Sequence, residues 1–222
     1  MILEIACFNF ESALTAEQSG ADRIELCENY SAGGITPAVE LIQNVKSKIK
    51  IPVHVMIRPR SGNFLYSEME FEQMKNEIMQ CRTLGADGVV FGMLDEKNFV
   101  DKKRCSELVN LANPMSASFH RAFDETENPF DALTEIINCG FGRILTSGQK
   151  TDALKGAELI SELIGKAAGR IIIMPGGGVR AENISELKIK TNAKEFHTSA
   201  VSGTALLPDA EEIRKMKKII SK

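Results

Sequence analysis

GADRIEL, residues 20–26, returns as GADGVVF at 85–91 and as GFGRILT at 140–146, with a degenerate fourth copy, TNAKEFH, at 191–197. Each copy places a helix-ending glycine, or its equivalent, just ahead of a short apolar run. The copies lie 65, 55 and 51 residues apart, which is room for two strand–helix units per repeat. Four such repeats make eight units.

Runs rich in Ile, Val and Phe fill out that count: ILEIACF, RIELCE, VHVMIR, GVVFGML, SASFHRAF, RILTSG, IIIMPGG and EFHTSA. Amphipathic segments of helical period follow them, near 11–19, 37–48, 67–82, 102–113, 129–138, 153–164, 182–188 and 210–221. This is the alternation of parallel βαβ units. No Pro/Gly/Ser-rich linker interrupts it. An open doubly wound sheet predicts no fourfold repeat, so the reading is an α/β fold, a (β/α)₈ TIM-type barrel forming a single domain over residues 1–222.

The chain has 222 residues, 43% of them hydrophobic, and a formal charge of −3. That is enough to bury a sizeable core. Lysines scattered along amphipathic segments form no basic stripe, which argues against nucleic acid as a partner. No apolar run approaches the ~20 residues that span a bilayer, and MILEIACF carries no basic leader, so the expectation is no membrane partner and a cytoplasmic protein. Five cysteines without a C-x-x-C spacing indicate free thiols rather than a disulfide framework.

Strands of a parallel barrel are buried on both faces, so a polar residue inside one is costly unless it points into the lumen or its mouth. Two-residue alternation puts Glu25 with Cys27 on strand 2, His54 with Met56 and Arg58 on strand 3, His120 with Asp124 on strand 5, and Glu195 with His197 and Ser199 on strand 8. Barrel enzymes build their sites at the C-terminal strand ends. The candidate catalytic residues are therefore Glu25, Arg58, His120, Asp124 and His197, with His120 as general acid or base oriented by Asp124. His54, early in its strand, reads as an interior group, and Glu4 and Glu195 as carboxylates of a buried network with Arg23 or Arg143.

MPGGGVRAENI puts three glycines directly after an apolar strand, where backbone amides can approach an anion. Arg58, Gly176, Gly177, Gly178 and Ser199 are the candidate anion-binding residues, and the partner expected is a small, possibly phosphorylated, anionic molecule. No lysine lies in or at the end of a strand candidate, which argues against a Schiff-base aldolase. Neither H-x-H nor H-E-x-x-H occurs, so the common hydrolytic zinc arrangements find no support.

In order through nearly the whole chain, GADRIELCE with GGITP, PVHVMIRPRSGNFLYS, GADGVVFG, FHRAFD, RILTSG, MPGGGV and EFHTSA closely resemble the CutC family. The resemblance implies a (β/α)₈-type barrel, a cytoplasmic homodimer and a part in copper homeostasis. It also implies Cu(I) as the ion bound, with Cys27 and Met56 as the metal-ligand candidates, since thiolate and thioether favour that ion. Some members pair Cys27 with a cysteine at the end of strand 1. Here that position is Ala6, and Cys7, displaced by one, faces the other way.

Overall fold

The computed structural model describes residues 1–202 and 207–221. Strands β1 Ile2–Cys7, β2 Arg23–Leu26, β3 Val53–Met56, β4 Gly88–Phe91, β5 Ser116–Phe119, β6 Arg143–Thr146, β7 Ile172–Pro175 and β8 Glu195–Thr198 alternate with eight helices. These are α1 Phe10–Gln18, α2 Val39–Lys48, α3 Glu68–Thr83, α4 Lys102–Ala112, α5 Pro129–Cys139, α6 Ala157–Ala167, α7 Ile184–Thr191 and α8 Ala210–Ile220. All strand pairs are parallel, in the order β7-β6-β5-β4-β3-β2-β1-β8. The barrel is nearly closed. Between β7 and β8 it is held just beyond the strand ends, where the Thr198 hydroxyl donates to the Val179 carbonyl at 2.8 Å and accepts from Arg180 Nη1 at 2.8 Å.

Local chemistry explains the helix ends. Ser67 and Glu70 form a capping box on α3, and Asn128 caps α5 ahead of Pro129, each satisfying amides that a helix leaves bare. The repeat of the sequence is a helix-stop device. Gly20, Gly85 and Gly140 take left-handed φ values of 95°, 74° and 92°, three residues before β2, β4 and β6. At the fourth copy Asn192 does the same at φ 56°, three residues before β8. The fourth copy therefore starts at Asn192, one residue later than the 191–197 span read from the repeat pattern. Asparagine tolerates the left-handed region better than other side-chain-bearing residues.

Alternation along the strands separates two interiors. Leu3, Ile5 and Cys7 of β1, Ile24 and Leu26 of β2, and Val53 and Val55 of β3 belong to the large apolar core, with the buried faces of the helices. The opposite faces carry Glu4, Arg23, Glu25, His54, Ser118 and His197 into the lumen, all buried. An apolar shell thus surrounds a charged axis.

Candidate functional site

At the lower end of the lumen, Glu195 accepts from Arg23 Nη2 at 2.6 Å and from Arg143 Nε at 2.8 Å, while Arg143 Nη1 donates to the Ser116 hydroxyl at 2.7 Å. Arg23 Nε also donates to Glu4. Two guanidiniums thereby balance two carboxylates, as buried charges require. His54 lies beside them without a hydrogen bond at Nδ1. Burial moves its pKa down to about 4, with Arg23 and Arg143 adding to the effect, so it is a neutral interior ring.

The network rises from Glu4 to the mouth. Glu4 Oε1 lies 2.8 Å from His197 Nδ1, and His197 Nε2 lies 3.8 Å from Glu25 Oε2. Burial alone would raise the pKa of Glu4, yet the bond to His197 and the charge of Arg23 hold it well below the usual carboxylate range. Burial would lower His197, but the charges of Glu25 and Glu4 overcome it and raise its pKa. Glu25 is pushed up, first by burial and further by Glu4, against the opposing charge of His197. Its Oε2 accepts only the weak Cys27 thiol at 3.4 Å, and its Oε1 has no partner.

Above this pair opens a cavity of about 480 Å³. Glu25, Met56, Arg58, His120 and His197 all line it, as do Gly177, Gly178 and Ser199. The cavity is also lined by Arg121 and Arg180, which the sequence reading passed over. Both were in view, one residue after His120 in FHRAFD and two after Gly178 in MPGGGVR. Neither lies in a strand, so the alternation rule did not reach them.

Three expected roles change in the structure. β5 stops at Phe119, and a 3-10 helix spans Arg121–Glu125, so Asp124 does not share a strand face with His120. Its carboxylate instead collects the Ser147 and Gln149 amides, the Thr146 and Ser147 hydroxyls and Arg121 Nε, and makes no bond to His120. His120 caps that 3-10 helix, its Nδ1 accepting the Ala122 amide at 3.3 Å. Burial and the nearby Arg58 charge move its pKa down to about 3, so the ring is neutral and its proton sits on Nε2, an atom without a partner. Arg58 gives Nη1 to the Ala32 and Gly34 carbonyls at 2.9 and 3.0 Å and Nη2 to Gly62 at 3.0 Å, which leaves Nε as its nitrogen without a partner.

Gly176 also differs from its neighbours. Its amide already donates to the Thr146 carbonyl at 2.9 Å, whereas those of Gly177 and Gly178 donate to no group among the described residues. Cys27 and Met56 pack together with Val90 and Phe8. Met56 lines the cavity, while Cys27 lies behind it and its thiol is raised well above 9 by burial and by Glu25. Cys7 points into the outer core, its thiol on the Ile5 carbonyl at 3.5 Å. The soft pair Cys27 and Met56 fits Cu(I) in type. The harder set Glu4, Glu25 and His197 brings three donor atoms within 4.8 Å of one another.

Residues 1–202 match the family model described as the CutC family. The copper homeostasis protein cutC homolog of Homo sapiens is 47% identical over 201 residues, 90% of this chain and 74% of that one. A CutC family protein of Parabacteroides distasonis is 48% identical over 202 residues, 90% of this chain and 83% of its own. Among solved structures, the putative copper homeostasis protein CutC of Streptococcus agalactiae superposes with a TM-score of 0.85 at 30% identity, covering 90% of this chain and 98% of that one. N-(5'-phosphoribosyl)anthranilate isomerase of Pyrococcus furiosus, at TM-score 0.65 and 14% identity, covers 100% of this chain and 98% of its own and shares the barrel. Since the matched stretch runs from the first strand through the last, and identity approaches one residue in two, the chain belongs to the CutC family.

Proposed function

We propose that the mouth of this CutC barrel binds a small anionic molecule and moves a proton on it, as an isomerase or lyase does. The observation that carries the reading is the Glu25 carboxyl: buried at the cavity, with Oε1 unpartnered, directly above a network in which every other carboxylate is paired. An acceptor left bare in a low-dielectric site costs stability, and a bound molecule would supply its missing partner. Glu25, raised by burial, is the general acid or base. His197, held through Nδ1 by Glu4, presents Nε2 to Glu25 as the second protonatable group. His120 is then a neutral N–H donor rather than an acid or base, and with Arg58 Nε it would bind an oxygen of the ligand.

The experiment is incubation of small organic anions with the protein in deuterium oxide, with mass spectrometry reading deuterium incorporated at carbon. Exchange by the wild-type protein supports the reading. If a variant lacking the Glu25 carboxyl exchanged equally fast, the chemistry would lie elsewhere.

Relatives named for copper homeostasis support a second reading, in which copper is the cargo; the soft pair Cys27 and Met56, packed together, would then take Cu(I). In a competition titration against a Cu(I) chelator, Cys27→Ser should bind at least about tenfold more weakly than Cys105→Ser, a loss of ~1.4 kcal/mol. Equal affinities in both variants would remove copper from this pair.

A further inference from the structure

The anion site has a chemical preference that its individual residues disclose together. Gly177 and Gly178 are consecutive left-handed residues, φ 95° and 69°, in the cavity wall. Neither amide donates to a group among the described residues, so two backbone N–H groups are left for an anion. Arg121 lines the same wall. A Cβ on Gly177 would come within 3.4 Å of Arg121 Cζ and Nη1, so the guanidinium lies across the glycine backbone. Asp124 takes its Nε at 2.8 Å and the Ser147 hydroxyl its Nη2 at 2.9 Å. Nη1 is left without a partner among the described residues.

We infer that Gly177, Gly178 and Arg121 form a subsite for the phosphate end of a phosphomonoester, with the organic end reaching toward Glu25, His120 and His197. Three donors without partners on one stretch of cavity wall, two amides and Nη1, match in number a group with three terminal oxygens. A carboxylate presents two oxygens in one plane and is better matched by a single bidentate guanidinium, and the Nε–Nη2 edge of Arg121 is already taken by Asp124 and Ser147. Charge agrees with geometry. Arg58, Arg121 and Arg180 line the cavity with one carboxylate, Glu25, which holds its proton above the usual range. Asp124 beside Arg121 is paired with it, and Asp152, whose Cβ would lie 3.1 Å from a Cβ on Gly178, is paired with Lys155. Gly176, whose amide is already bonded, lies outside the subsite. Ser199, whose hydroxyl accepts from the Val201 amide at 3.4 Å, has its O–H to offer at the same rim.

This inference rests on the anion-binding half of the proposed function and specifies its ligand class. It is tested with inorganic phosphate and with acetate, at matched ionic strength, on ¹⁵N-labelled wild-type protein. Phosphate should shift the Gly177 and Gly178 amide resonances saturably while acetate shifts them far less. Arg121→Gln should weaken phosphate binding by roughly tenfold, the value of one charge-assisted hydrogen bond. Should that variant fail to fold, the wild-type comparison of phosphate with acetate stands without it. Equal responses to the two anions, phosphate shifts confined to other residues, or a folded Arg121→Gln variant with unchanged affinity would each overturn the inference. Inorganic phosphate carries no exchangeable carbon-bound proton, so this measurement fails or succeeds independently of the deuterium experiment.

Discussion

Glu25 is the residue on which chemistry and stability pull in opposite directions. With its carboxyl raised, the folded state holds that proton more tightly than the unfolded chain. Its contribution to stability is full below the ordinary glutamate pKa of about 4.3 and is lost as pH rises through the raised value. Glu4 runs the other way: its lowered carboxyl stabilises above the ordinary value, and that contribution is lost only as pH falls through the folded one. Glu25→Gln, which cannot ionise, should therefore match the wild-type protein in mild acid and be more stable toward neutral and alkaline pH. Urea denaturation across pH checks this. A variant less stable than wild type throughout that range would mean that the ionised carboxylate is a structural partner of His197. Such a trade of stability for a site is common at functional positions.

At the scale of elements, the strands were legible and their ends were not. Period-two alternation identified the inward residues of β2, β3 and β8, because a buried strand leaves polar groups only one place to point. It failed at β5. His120 and Asp124 looked like one strand face, but the chain turns into a 3-10 helix after Phe119, and Asp124 folds back onto the turn after β6. No periodicity reports a turn that one carboxylate organises. Glycines divide along the same line. Gly165 is exposed inside α6 with nothing within 4 Å of a Cβ, whereas a Cβ on Gly156, just before α6, would lie 1.9 Å from the Ser147 carbonyl oxygen. Gly165→Ala should raise stability by about 0.5–1 kcal/mol, as expected for an interior helix position. Gly156→Ala should lower it by about 1–3 kcal/mol, the range for an overpacked contact. Chemical denaturation of both variants decides this; a stable Gly156→Ala would show that the loop after β6 can yield.

For the molecule as a whole, the fourfold repeat carried the fold because each copy encodes a physical necessity, a left-handed helix stop ahead of a buried strand. Asparagine at 192 blurred the fourth copy by one residue without changing the architecture. The chemistry was less legible. Whether His120 is charged depends first on its burial and then on Arg58, and whether Arg58 is free depends on carbonyls at Ala32, Gly34 and Gly62. These are tertiary relations that no local pattern contains. What the fold assembles is a charge-balanced axis ending in one unpaired carboxyl beneath a cationic rim. The claim that this carboxyl moves protons is tested most directly by comparing solvent deuterium incorporation, into an anion that both proteins bind, by wild type and Glu25→Gln. Wild type should place deuterium at carbon, and the variant should do so at least about 10²-fold more slowly, the low end of what a positioned acid or base contributes. Exchange at the wild-type rate in Glu25→Gln, or no exchange by wild type into any anion it binds, would contradict the account.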